Sequence, residues 1–225
     1  MTFHWSKNAP HIVSVFLPWQ QNDGYDSETL VMAESRLNLC LPVVLKHFYR
    51  AWGRRDDITR FRENLLPPEY LSVQSGFLVF AEENQAVYQW GIPCDFLKHE
   101  NPPVYYALQL SDHSEAVWEL SHRHISDFLD YLTYGHALAG GAPYGGAAQD
   151  QLNEVQLDEV QRTWVTIELA SVPMGLVPEP DSQWLLYGRQ GIVMDPLRQV
   201  WIAAQSFDAL ETVRQQLCLT WNYQW

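Results

Sequence analysis

The chain has 225 residues and a hydrophobic fraction of 47%, enough to bury a substantial core and too apolar for a disordered protein. Its formal charge is −13, from 14 basic against 27 acidic side chains, a surface that repels phosphate backbones and argues against nucleic acid as a partner. Residues 1 to 98 carry 9 basic and 11 acidic groups (−2) and residues 99 to 225 carry 5 and 16 (−11), so the negative field belongs to the second half and suits a basic partner.

The amino terminus has one lysine and an apolar run too short and interrupted for a signal peptide, and no segment has the length of a membrane span; a soluble, cytoplasmic protein with no membrane partner is expected. HIVSVFLPW (His11 to Trp19) reads as a strand closed by the turn Asn22-Asp23-Gly24. A helix follows, capped by Asp26 or Ser27, with Leu30, Ala33 and Leu37 at helical spacing. LPVVLKHFYRAWG is the clearest helix: Pro42 suits its start, Leu41, Val44, Leu45, Phe48 and Trp52 form one apolar stripe, and Gly53 suits its end. RRDDITRFRENLLPPEY then places four arginines (Arg54, Arg55, Arg60 and Arg62) in one basic island before a Pro-Pro loop.

SGFLVFAEENQAVYQWGIP reads as a hairpin, with strands from Phe77 to Phe80 and from Ala86 to Trp90 around a polar turn. Glu82 and Glu83 are the paired carboxylates of that turn. In a strand their side chains diverge, which makes a poor acid–base dyad; at a turn tip they are solvated charges. VYYALQL and EAVWEL predict a second hairpin, and SHRHISDFLDYL a helix burying Ile125, Phe128, Leu129 and Leu132 and ending near Gly135. The glycine-rich stretch 139–149 reads as a flexible loop without the G-K-[ST] of a phosphate loop. Beyond it, WVTIELA, QWLLYG, GIVMD and QVWIAA are short strands, and SFDALETVRQQL is a closing helix capped by Ser206. Val117-Trp118 leading into one helix and Val200-Trp201 leading into another form a weak internal echo. The short links between elements predict an α+β fold with a mainly antiparallel sheet packed by helices, the ten tryptophans lying as plates between sheet and helices.

Catalytic patterns are sparse. His113, His122 and His124 lie close together, but no cysteine is near enough to complete a zinc set, and neither a metal nor another cofactor is expected. Cys40, Cys94 and Cys218 are widely spaced and read as buried free thiols in a reducing compartment. Cys94, close to Asp95 and His99 in sequence, is the one candidate nucleophile.

Taken together, LPVVLKHFYRAWG, ENLLPPEY, GFLVFAEENQAVYQWGI, PPVYY and VWELSHRHISDFLDYL resemble the SUKH superfamily, also called the Smi/Knr family, over roughly residues 37 to 138. The motif positions are Leu41 and Pro42, Tyr49 and Gly53, Glu83-Asn84-Gln85, Trp90 and Gly91, and Phe128-Leu129. The resemblance implies a single α+β domain over residues 1–225, with the strands and helix of 150–225 completing or extending the sheet. It also implies non-enzymatic work: bacterial members are commonly immunity proteins that bind and neutralise a cognate secreted toxin, here one with a basic surface such as a nuclease or deaminase. The alternatives are a regulatory scaffold protein, or a hydrolase using Glu82 and Glu83 or Cys94. Partner contacts are expected at the hairpin tip (Glu82, Glu83), at the acidic turn Asp112 and Glu115, and at Asp158 and Glu159.

Overall fold

A computed structural model describes residues 5–61, 63–108, 116–148, 152–163, 165–167, 184–187, 191–194 and 200–225. It has an α+β architecture in which all the strand pairings are antiparallel among the described residues.

The expected first strand is helical. Residues Ala9–Ile12 form a short helix, α1, with Pro10 in its first turn, followed by one 3-10 turn over Val13–Val15. β-branched residues at Ile12, Val13 and Val15 suggested a strand, but no ladder partner pairs with them among the described residues. Their side chains gain burial instead: Ile12, Val15 and Phe16 are fully enclosed, and Gln205 Nε2 donates to the Phe16 carbonyl at 2.6 Å.

Helix α2 (Ser27–Leu37) is capped by Asp26, whose carboxylate accepts from Thr29 N–H at 2.7 Å. Helix α3 (Val43–Trp52) starts after Pro42, stops at Gly53, and buries Val44, Leu45, Phe48 and Trp52 of the predicted stripe together with Tyr49, while Leu41 is buried just ahead of the helix. The basic island becomes a helical turn, α4 (Asp56–Thr59), and a short strand, β1 (Glu63–Leu65). Two of its charges are paired: Arg55 binds Asp57 and lies 3.4 Å from Asp23, and Arg60 lies 3.6 Å from Asp56. After a 3-10 turn over Pro68–Tyr70 come β2 (Ser72–Gln74), β3 (Phe77–Glu83), β4 (Tyr88–Pro93), β5 (Val104–Leu108) and β6 (Glu119–His122). These strands form one sheet in the order β1-β3-β4-β5-β6, with β2 paired beside β1 along the edge of β3.

Helix α5 (Ile125–His136) carries its predicted apolar face, Ile125, Phe128, Leu129 and Leu132, into the core, where Phe128 meets Phe80 and Trp90 at ring distances of 5.2 and 5.7 Å. It does not stop at Gly135. The chain runs on through a π turn over Ala137–Gly141, broken where Gly140 adopts φ 116°, a backbone state that glycine tolerates.

The expected flexible loop contains a strand, β7 (Tyr144–Ala148), whose small residues leave room for large neighbours. A Cβ on Gly145 would lie 2.0 Å from the Trp225 ring, and one on Gly146 would lie 2.8 Å from Trp221. Glycine there is thus a packing requirement rather than a sign of mobility. Helix α6 (Glu154–Thr163), β8 (Val165–Ile167), β9 (Trp184–Tyr187), β10 (Gly191–Met194), β11 (Trp201–Ala204), α7 (Phe207–Gln216) and β12 (Trp221–Gln224) complete the chain. Helix α7 therefore does not close the fold. β12 follows it and pairs with β7.

The carboxy-terminal strands neither complete nor extend the first sheet. They pair among themselves in the order β12-β7-β11-β10-β9-β8, and the chain divides into two compact units. Unit one holds residues 1–7 and 19–132, and unit two holds 8–18 and 133–225. The expectation of a single domain is replaced by two units, because each half has strands and helices of its own with which to bury a core. In the second unit that core gathers Leu152, Val200, Ile202, Leu210, Val213 and Leu217.

The weak echo in the sequence corresponds to a repeated topology. In each unit a four-stranded antiparallel meander, β3 to β6 or β8 to β11, hands over through a two-residue link to an amphipathic helix, α5 or α7. Ser206 caps α7 by accepting from Ala209 N–H at 3.2 Å. Ser206→Ala is expected to cost about 1 kcal/mol, read by urea unfolding, with Ser206→Asp restoring most of it. Equal stability of the alanine variant would mean that packing alone sets the start of α7.

Candidate interaction face

Glu82 and Glu83 are not at a turn tip. Strand β3 runs through both, with Glu82 opposite Asn64 and Gln89, and Glu83 opposite Glu63. The turn proper follows at Asn84 to Val87. Ala86 takes φ 56°, its N–H donates to the Glu83 carbonyl at 2.8 Å, and Asn84 Nδ2 donates to the Phe61 carbonyl at 3.3 Å.

A β-bulge between Val79 and Ala81 decides where the two carboxylates go. Simple alternation from Val79 would place Glu83 on the same face as Val79 and send Glu82 to the core side. The extra residue, Phe80, turns inward against Phe128, and the alternation shifts by one. Glu82 therefore shares a face with Val79, Gln89 and Asn64. Glu83 lies on the other face, beside buried Glu63, which accepts from Tyr131 Oη at 3.1 Å. The pair diverges and forms no acid–base dyad.

The face bearing Glu82 is turned away from α5 and has two parts. One is an open groove of about 530 Å³, floored by Val79, Glu82 and Gln89 and walled by Asn64, Tyr70 and Gln74, with Arg60 beside it. Tyr70 is 67% exposed on its rim. The other is an aromatic plate: Phe77 stacks on Trp118 at 4.3 Å and meets Tyr105 edge-on at 5.6 Å. Gly91 makes the plate possible, since a Cβ there would lie 2.8 Å from the Trp118 ring. Trp118 is thus a tryptophan on the side of the sheet opposite α5, whereas Trp90 fills the expected place between sheet and helix.

The other expected contacts are scattered. Asp112 and Glu115 lie outside the described residues, as do His113 and Arg62. Asp158 and Glu159 are on α6 in the second unit; Asp158 is exposed, and Glu159 Oε1 accepts from Gln216 Nε2 at 3.3 Å. The sequence reading missed Asn64, Tyr70, Gln74, Gln89, Phe77, Tyr105 and Trp118. The alternation of Phe77, Val79 and Gln89, Gly91 was a usable signal for one shared face, but the bulge hides the place of Glu82 in it.

Neither nucleophile nor metal chemistry gathers here. Burial, and secondarily Asp95, push the Cys94 thiol up, and the His99 ring rests on Phe96 at 5.4 Å. Cys40 and Cys218 are free but exposed, and Cys94 is half-buried, so the expectation of buried thiols fails; each sits in a loop or turn rather than on an inward face. His122 is buried with its Nδ1 2.9 Å from Ser121 Oγ, whereas His124 is exposed. Among the described residues no group of three His, Cys, Asp or Glu is placed to hold a metal, and no helix is long and apolar enough to cross a membrane.

No family model matches this chain. Likewise, no curated protein and no solved structure is significantly similar to it.

Proposed function

We propose that this protein is a non-enzymatic binding module of the immunity type, which holds a cognate protein toxin and blocks it in the cytoplasm of the producing cell. The observation that carries the reading is the face away from α5, where a carboxylate-bearing amide groove lies on the same side of one sheet as an aromatic plate. Interface energy concentrates in aromatic anchors surrounded by polar groups, and this face has both. The diverging Glu82 and Glu83 and the unactivated Cys94 favour binding over hydrolysis. The charge of −11 on residues 99 to 225 favours a basic toxin by steering its approach. The resemblance to the SUKH superfamily supports the same class.

The test is coexpression with the toxin encoded beside this gene, followed by affinity capture and surface plasmon resonance. Rescue of growth and a stoichiometric complex are expected. Glu82→Lys is expected to weaken that complex at least tenfold, about 1.4 kcal/mol, with the fold intact. Recovery of a housekeeping protein in place of a toxin would favour a regulatory scaffold. An unchanged affinity for the Glu82 variant would move the interface off this groove.

A further inference from the structure

The first unit carries a second, separate feature of opposite charge. The segment from Trp19 to Asp26 is strapped onto the end of α3: Tyr25 N–H donates to the Tyr49 carbonyl at 2.9 Å, Arg54 N–H to the Asp23 carbonyl at 2.9 Å, and Trp19 Nε1 to the Ala51 carbonyl at 3.0 Å. The strap and helix enclose an open cup of about 440 Å³, whose lining includes Trp19, Gly24, Tyr25, Asp26, Arg50 and Arg54.

The cup faces solvent with cations. Arg50 and Arg54 are both exposed, and Arg54 rests on the Tyr25 ring at 4.9 Å with no ion pair among the described residues. The nearby carboxylates are already engaged. Asp23 accepts from Gln20 N–H at 2.7 Å and lies against Arg55, and Asp26 caps α2. Trp19 is 45% exposed with its indole N–H tied down, so its ring is held in one orientation at the rim.

We infer that this cup is a docking site for an acidic peptide segment of a partner protein, with Arg54 receiving a carboxylate and Trp19 packing on a neighbouring apolar side chain. Trp, Tyr and Arg are the residue types that dominate binding energy at protein interfaces. A pocket for a small metabolite encloses most of its ligand, and this cup, with Trp19 and both guanidinium groups in solvent, is too open for that. Guanidinium held over an aromatic ring is also pre-oriented to receive a carboxylate. The cup departs from the acidic character of the chain, so it selects a partner that the rest of the surface repels.

The experiment is a titration of the full chain, labelled with nitrogen-15, with a synthetic peptide alternating glutamate and leucine, followed by NMR at low ionic strength. Trp19→Phe assigns the Trp19 indole signal. Shifts are expected at the Trp19 indole N–H and at Arg54 Nε–H, fading as salt is raised. Arg54→Glu is expected to weaken binding at least tenfold with an unchanged thermal midpoint, and the peptide with lysine for glutamate should not bind. The inference is overturned if these signals stay still up to about 1 mM peptide, if the lysine peptide binds equally, or if inorganic phosphate or a mononucleotide binds as tightly as the peptide, which would make the cup a small-anion site.

Discussion

Replacing Gly24 with alanine is expected to lower the unfolding free energy by about 3 kcal/mol, the scale of three lost hydrogen bonds at about 1 kcal/mol each. A Cβ at this position would stand 1.8 Å from the Arg50 carbonyl oxygen, 2.3 Å from its carbon and 3.0 Å from Ala51 N. All three are backbone atoms of α3, so no rotamer change relieves the overlap. Either the helix end distorts or the strap lifts, and lifting removes the hydrogen bonds of Tyr25 N–H, Arg54 N–H and Trp19 Nε1. The cost cannot exceed that of undocking the strap, which sets the ceiling. Urea unfolding is the measurement: the midpoint should fall while the slope stays the same. An unfolding free energy unchanged to within about 1 kcal/mol would show that the strap yields freely and that the cup is not a rigid feature. The same variant should lose the acidic-peptide response, because Trp19, Tyr25 and Arg54 are positioned by this contact.

Acidification is expected to destabilise the protein through His122, by about 3 kcal/mol between pH 6.5 and pH 4. Burial among the rings of Phe128 and Tyr131 holds its pKa at about 4, against 6.5 for a free imidazole. Nδ1 meets Ser121 Oγ, and Nε2 is buried with no hydrogen-bond partner. Desolvation by burial is the cause of the depressed value. Above pH 6.5 the ring is neutral in both folded and unfolded chains, and stability does not depend on it. Between 6.5 and 4 the unfolded chain takes up a proton that the folded chain refuses, so stability falls as pH falls. Below about 4 the folded state is protonated as well and this contribution to the slope ends. Urea unfolding across that range on the parent and on His122→Phe is the check. The variant keeps the ring packing and should lose the slope; an equal slope in both would place the acid sensitivity in other groups.

Much of the first unit was legible because its signals are local. Asp26 caps α2, the stripe from Val44 to Trp52 lies in α3, and Phe128 and Leu129 face the core, as spacing and capping chemistry require, whereas β6 runs past the expected strand EAVWEL into Ser121 and His122, which were expected to open α5. The short strands of the second half were also placed correctly, at β8 to β11. The errors arose where a local preference met a non-local demand. The segment from His11 to Val15 has β-branched residues but joins no ladder among the described residues, and the glycines of β7 answer to Trp221 and Trp225, which lie far along the chain.

The sequence by itself determined the fold class, the helices α2, α3, α5 and α7 with the caps of α2 and α7, the acidic second half and the scarcity of catalytic patterns, because propensity, periodicity and charge act over a few residues or over the whole composition. Only the tertiary structure decided that the chain builds two sheets, that Glu82 faces the groove while Glu83 does not, and that Arg55 is consumed by internal pairing while Arg54 stays outward. Strand partners, a bulge of one residue and the pairing of side chains distant in sequence depend on which segments meet. That choice is made by packing, which local spacing does not encode.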